Sequence, residues 1–314
     1  MSMDETLGVL AHRGGLVVER PELRVGVVRA VCRPNGLELE LLARSPLDRR
    51  GRAGNAAPPR APRRLLPQYD EGIDLRVGWL DRDGRAHWEF GSLSSGSGDH
   101  FGGTQLRTLL QFPPLFDHVS VVLAWPEIGF PETIVELRLP DRATVERDTV
   151  SIWDAPLNVG PAPSSLNHHL GAFQFEELPV EAGHIVAPPQ VLSRGQDAAV
   201  VLSRLTAFGQ TLSMEILSVA NDERATAVTA IAFPPKPLQP NIPGASVAVV
   251  RHHDAVWVQP HAGSSSGGSR GFRSTTEFIV SRPDSDVLAL MVGWQAAGLA
   301  DTYVEVPLSE GQLP

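Results

Sequence analysis

Hydrophobic and polar positions along the chain alternate over short runs, and each run stops at turn-forming residues. Leu37 to Leu41 reads Leu-Glu-Leu-Glu-Leu, the period of two expected of a half-buried strand, whose successive side chains point to opposite faces. Upstream, the apolar run Leu23 to Cys32 ends at Pro34-Asn35-Gly36. Proline presets a turn there and Asn-Gly accepts a positive φ, so the two runs predict a hairpin. Ile73 to Leu80 and Arg85 to Phe90 predict a second strand pair around Asp81-Arg82-Asp83-Gly84, a turn of the Asp-Gly type. Leu106 to Phe112 and Val119 to Leu137 continue the series, separated by Pro113-Pro114. The later part of the chain follows the same plan. Strands are predicted over Ala199 to Thr206, Leu212 to Val219, Thr226 to Phe233, Val247 to His252, Ala255 to Pro260, Thr275 to Val280, Val287 to Trp294 and Thr302 to Val306. No stretch shows the apolar spacing of a three-turn amphipathic helix, and short strands at this spacing predict an all-β fold.

The pattern also recurs. Val119 to Leu137 matches Leu288 to Val306 at a constant offset of 169 residues, which pairs Trp125 with Trp294, Gly129 with Gly298, Thr133 with Thr302, Val135 with Val304 and Glu136 with Glu305. The same offset pairs Trp88 with Trp257 and Gly102 with Gly271. An earlier block matches at an offset of 175, through Arg29 and Arg204, Leu37 and Leu212, Glu40 and Glu215, Leu42 and Leu217. Order and spacing agree over more than a hundred residues, and so long a period predicts two duplicated domains rather than a solenoid. The expected organisation is two tandem β-sandwiches or small barrels, residues 1–150 and 171–314, joined by a proline-rich linker over 151–170.

Composition changes the picture in a few places. The 314 residues suffice for two buried cores, and 27 Pro with 29 Gly suit strands joined by turns. Net charge is −9; residues 1–150 hold 19 basic against 21 acidic side chains, and residues 151–314 hold 8 against 15. Neither half has the surplus of positive charge used by a general nucleic-acid binder. Cys32 is the lone cysteine, which excludes an intrachain disulfide. The first residues carry Asp4 and Glu5 before a short apolar patch, unlike a secretory signal, and no run approaches the length of a membrane span. A soluble, cytoplasmic protein is the expectation.

Candidate contact chemistry lies in the loops. Between Arg44 and Arg64 run seven arginines, Arg44, Arg49, Arg50, Arg52, Arg60, Arg63 and Arg64, opposed only by Asp48. Such a stretch is either a solvated linker or a contact for an acidic protein, a phosphate-bearing polymer or an anionic surface. Two Gly/Ser-rich loops occupy corresponding places, one around Gly96, Gly98 and Gly102, the other around Gly267, Gly268 and Gly271. They are expected to be mobile connections whose backbone amides could hold an anion or partner.

Catalytic readings are weaker. Gly263-Ser264-Ser265-Ser266-Gly267 fits the G-x-S-x-G spacing of a nucleophile elbow, but that motif needs a sharp strand-to-helix turn and no helix pattern follows. The pairs His168-His169 and His252-His253, with His184 and His261, raise a metal site. Adjacent strand residues point to opposite faces, and neither pair has the His-x-His spacing that would aim both rings inward. Trp125 and Trp294 end apolar runs and are expected to anchor cores; Glu136 and Glu305 are expected to face solvent, and Cys32 to pack as a small apolar residue.

The order of a Gly/Ser-rich loop, a strand, a proline turn, an apolar run and W-P-x-x-G-x-P-E-T at Trp125 to Thr133 resembles an uncharacterised family of cytosolic proteins from high-GC Gram-positive bacteria. In the second copy Pro126, Pro131 and Glu132 become Gln295, Ala300 and Asp301. The resemblance implies a soluble bacterial protein and supplies no activity. The preferred expectation is a non-catalytic binding or scaffold protein with no cofactor, whose partner is another protein or a second copy, its small-molecule ligand being open. The alternatives are an enzyme with a metal-dependent or serine-based site between the domains, and a structural subunit of a homo-oligomer or larger particle.

Overall fold

The computed structural model describes residues 5–45, 64–65, 75–89, 92–94, 104–125, 128–172, 178–232, 243–268 and 271–309. In chain order the first strands are β1 Thr6–Leu7, β2 Val9–Leu10, β3 Gly15–Arg20, β4 Leu23–Arg33, β5 Gly36–Ser45, β6 Arg76–Leu80, β7 Ala86–Glu89, β8 Ser92–Ser94, β9 Thr104–Phe112, β10 His118–Trp125 and β11 Phe130–Arg138. After helix α1, Arg142–Asp148, come β12 Val150–Ser151, β13 Val159–Gly160, β14 Asn167–Leu170, β15 His184–Ala187, β16 Gln190–Arg194, β17 Ala198–Phe208 and β18 Thr211–Asn221. Helix α2, Asp222–Ala232, is followed by β19 Ser246–Arg251, β20 Asp254–Trp257, β21 Ala262–Gly267, β22 Gly271–Ser281, β23 Val287–Trp294 and β24 Leu299–Pro307.

The fold is all-β, as the alternation predicts, and it divides into two compact units. The N-terminal unit is Gly8–Thr149 with Pro179–His184; the C-terminal unit is Met1–Leu7, Val150–Leu178 and Ile185–Pro314. In the N-terminal unit one sheet runs β2-β4-β5-β9-β8, with β3 also on β4, and the other runs β11-β10-β6-β7. Their inner faces share one core, where Leu37, Leu39 and Leu41 of β5 meet Val121, Leu123 and Trp125 of β10. Two sheets closed over one apolar layer make a β-sandwich. The C-terminal unit repeats it: β15-β17-β18-β22-β21, with β16 on β17, against β13-β24-β23-β19-β20-β14. Met214 and Ile216 of β18 there meet Leu290, Val292 and Trp294 of β23.

The correspondence reaches individual residue pairs. Arg29 faces Glu40 across β4 and β5 as Arg204 faces Glu215 across β17 and β18, and the register slips between Val27 and Arg29 as it does between Leu202 and Arg204. Further slips match at Leu16/Val18 and Val191/Ser193, and at Leu123/Trp125 and Val292/Trp294. Trp125 faces Phe130 and Trp294 faces Leu299, with Gly129 and Gly298 turning the chain between them at φ 76° and 75°. A side chain strains that left-handed backbone, which accounts for glycine at both places.

Several expectations are corrected. Residues 151–170 are not a bare linker: Ile152 and Ala155 are buried, β12 pairs with β1, β13 with β24 and β14 with β20. The run Thr226 to Phe233, expected as a strand, lies largely in α2, a three-turn helix. Its β-branched Thr226, Val228, Thr229 and Ile231 favour a strand, but the alanines between them favour helix and α2 buries only Ala225 and Val228. The second Gly/Ser stretch is a strand too, since β21 pairs with β22 from Ala262–Glu277 to Gly267–Phe272. Among the described residues, no helix is long and apolar enough to cross a membrane.

Candidate functional site

Two tryptophans at corresponding register lie where each framework meets a segment that does not repeat. Trp88 faces Gly78 across β7 and β6, and Trp257 faces Ala248 across β20 and β19. In the N-terminal unit the Trp88 indole N–H donates to the Leu65 carbonyl at 3.0 Å. The Glu132 carboxylate accepts the backbone N–H of Arg64 at 2.7 Å and of Leu65 at 2.8 Å. An ionised acceptor strengthens such bonds, so the C-terminal end of the arginine-rich segment is fastened to β7 and β11. The glutamate of the W-P-x-x-G-x-P-E-T segment thus has a definite task.

In the C-terminal unit Trp257 fastens something else. Its indole N–H donates to His168 Nδ1 at 3.1 Å, and the two rings stack with centroids 6.1 Å apart. His168 sits on β14, which joins the β20 edge in parallel from Asn167–Asp254 to Leu170–Trp257. Asp254 accepts from Asn167 Nδ2 at 3.2 Å, and His169 Nε2 lies 3.3 Å from the same oxygen. The Asn167 bond, then the His169 bond, hold the Asp254 carboxyl below its ordinary value. The backbone N–H of Asn167 also donates to the His253 carbonyl at 2.7 Å. Members of both histidine pairs therefore meet at one exposed edge, brought together by a parallel pairing that alternation cannot reveal. Among the described residues no group of three or more His, Cys, Asp or Glu side chains is placed to hold a metal ion.

The remaining sequence candidates scatter. Arg44 is not in the loop: it lies in β5, its guanidinium is 3.3 Å from the buried carboxylate of Glu181, and its side chain is 16 % exposed. Arg64 is exposed. Arg49, Arg50, Arg52, Arg60 and Arg63 lie outside the described residues, as do Gly96, Gly98 and Gly102. Gly267 ends β21, Gly271 starts β22, and the Gly268 N–H donates to the Gly271 carbonyl at 2.9 Å. Ser265 sits in β21 with its hydroxyl 3.0 Å from that of Ser274, so no strand-to-helix elbow presents it as a nucleophile. Trp125 and Trp294 are buried in the two cores, and Cys32 is buried with its thiol pushed up to about 12 by loss of solvent. Glu136 and Glu305 face solvent.

Sequence reasoning missed the buried charges on the second face of the β2-β4-β5-β9-β8 sheet and of its counterpart β15-β17-β18-β22-β21. Glu38 and Glu40, expected on a wet face, are 7 % and 4 % exposed. Arg29 lies 3.0 Å from Glu38 and 3.5 Å from Glu40, Arg33 lies 3.2 Å from Glu38, and Arg107 also binds Glu40. In the C-terminal unit Arg204 lies 2.7 Å from Glu277, while Glu215 accepts from Ser203 at 2.6 Å. Buried charges persist only when paired in this way. The signal was present as the repeated Arg29/Arg204 and Glu40/Glu215 identities, which lie opposite one another across adjacent strands.

No family model matches the chain, and no curated protein sequence does. Solved structures similar in part include bovine butyrophilin, at 11 % identity over 87 % of this chain and 92 % of that one with a TM-score of 0.21. A conserved domain protein from Bacillus anthracis shares 8 % identity over 90 % and 77 % of the two chains, TM-score 0.21. The N-terminal periplasmic domain of ScsB from Proteus mirabilis shares 10 % over 96 % and 100 %, TM-score 0.22. Scores this low carry no argument about fold or activity.

Proposed function

We propose that the chain is a non-catalytic binding or scaffold protein of the cytoplasm, and that its arginine-rich segment, residues 45–64, is a contact for an acidic protein surface. One observation carries this reading: Trp88 and Trp257, which correspond by register, hold segments that do not correspond, Leu65 in one unit and His168 in the other. A common framework that varies what it holds is the usual basis of recognition surfaces on β-sandwiches. Residues 45–64 carry six arginines against Asp48, a charge excess that attracts acidic surfaces and weakens with salt. The cytoplasmic location rests on the resemblance carried by Trp125 to Thr133.

Fluorescence anisotropy with a labelled polyglutamate peptide tests the proposal. The full chain is expected to bind at low salt and to lose about tenfold or more in affinity when Arg60, Arg63 and Arg64 are changed together to glutamate. An affinity indifferent to both salt and substitution would remove the reading.

A further inference from the structure

The two sandwiches share a hairpin, and the edges of the two copies are finished differently. In the C-terminal unit β24 lies between β23 and the short strand β13, which pairs with it antiparallel through Val159–Val304 and Gly160–Tyr303. Registers of the two hairpins coincide, so Val304 and Tyr303 correspond to Val135 and Ile134 of β11. Among the described residues β11 pairs with β10 alone. At that place Ile134 is 51 % exposed, in the position where the C-terminal unit receives a strand.

The strand received in the C-terminal unit shows what the edge takes. Val159–Gly160 is flanked by Pro156, Pro161 and Pro163, which hold the chain extended before it pairs and lower the entropy lost on pairing. Gly160 lies against the Tyr303 ring, where an added Cβ would come within 3.2 Å of Cδ1, so a small residue fits opposite that side chain without displacing the ring. Neighbouring positions on β11 limit where a strand can be added. Pro131 has no N–H to offer, and Glu132, Glu136 and Arg138 place charge to either side of Ile134, as edge strands do when indiscriminate pairing is disfavoured.

We propose that the outer edge of β11 at Ile134–Val135 is a strand-accepting site. It takes an extended, proline-flanked segment of another polypeptide, antiparallel, with an apolar residue opposite Val135 and a small one opposite Ile134. Main-chain hydrogen bonds supply the attraction, and the two side-chain positions supply selectivity. The site rests on the binding-protein reading and adds to it the main-chain edge of β11, the strand whose Glu132 holds the end of the arginine-rich segment.

The probe is a synthetic peptide with the sequence of residues 155–164, Ala-Pro-Leu-Asn-Val-Gly-Pro-Ala-Pro-Ser, added to the full chain with amide exchange read at Thr133 to Glu136. At about 1 mM peptide, exchange there is expected to slow about tenfold, an effect lost in Ile134→Lys and in a peptide whose glycine is replaced by isoleucine. Ile134→Lys leaves the core face of β11 unchanged, and its circular dichroism and melting temperature report that it folds. No slowing with peptide overturns the proposal. Protection that rises with chain concentration in the absence of peptide assigns the edge to a second copy, and protection independent of both assigns it to the chain's own residues; either result also overturns it. Polyglutamate binding measured on the same samples separates the two surfaces, since its loss alone sinks only the arginine-rich contact.

Discussion

The hairpins β10–β11 and β23–β24 have the same register, the same slip before the tryptophan and the same left-handed glycine, yet their surroundings differ. Trp294 donates its indole N–H to the Pro243 carbonyl at 3.0 Å and packs against Phe272 with centroids 5.9 Å apart. The corresponding Trp125 N–H is buried with no hydrogen-bond partner among the described residues, and Arg20 lies over the neighbouring Phe130 ring. Glu132 reaches the backbone at Arg64 and Leu65, whereas its counterpart Asp301 lies over Gly293, where an added Cβ would fall 2.0 Å from its Oδ1. The difference teaches that packing fixes the repeated positions, while the polar groups at their margins are free to be reassigned.

Removing the tryptophans tests the packing half of that statement and should have the largest effect. Trp294→Ala is expected to cost about 3–5 kcal/mol in urea unfolding, through cavity formation and lost transfer energy. Trp125→Ala should cost about 1 kcal/mol less, because no comparable hydrogen bond is lost with it. Equal losses would mean that the Pro243 contact contributes nothing. The glycines come next. Gly298→Ala forces a side chain into a positive φ and places its Cβ 2.9 Å from Arg224 Nη1, and thermal unfolding should show a loss of about 1–2 kcal/mol. A third comparison sets Glu132→Ala beside Asp301→Ala: amide exchange at Leu65 should accelerate about tenfold in the first and stay unchanged in the second.

The smallest effect is a pH dependence confined to one unit. His12 is half-buried and accepts the Gly14 N–H on Nδ1 at 3.0 Å, and burial lowers its pKa from the ordinary 6.5. A lowered folded value means that the unfolded chain binds the proton more readily, so stability is complete above about 6.5 and falls as the pH drops below it. His12→Gln should flatten the slope of the urea midpoint between pH 7 and 5. A wild-type midpoint already independent of pH over that interval would show that burial leaves His12 untouched.

Strands, turns and the repeat were legible in the sequence because each is local or is copied. Leu-Glu-Leu-Glu-Leu declared β5, the Asp81–Gly84 turn declared β6 and β7, and the spacing of Trp125 and Trp294 carried the correspondence of the hairpins. What escaped depends on contacts distant in sequence. Alternation places Glu38 and Glu40 on the face opposite Leu39 but cannot say whether that face is wet, and arginines on β4 and β9 make it a buried ionic layer. The parallel docking of β14 on β20 joins His169 to Asp254 with no motif to announce it. Conversely, Ser265 satisfied a spacing rule whose required context the strand β21 does not supply. For the candidate contact segment, the sequence displayed the charge, and the structure added the Glu132 and Trp88 anchors that fasten its end.

The interleaving of the two units sets an order of events during synthesis. A ribosome releases Gly8–Thr149 well before Glu181, so the carboxylate that meets Arg44 reaches the first sandwich late. Thr6–Leu7 emerges long before Val150–Ser151 and must wait for it to pair. A cut at the midpoint of the chain would therefore divide both sandwiches rather than separate them, each fragment retaining a strand or a carboxylate that belongs to the other.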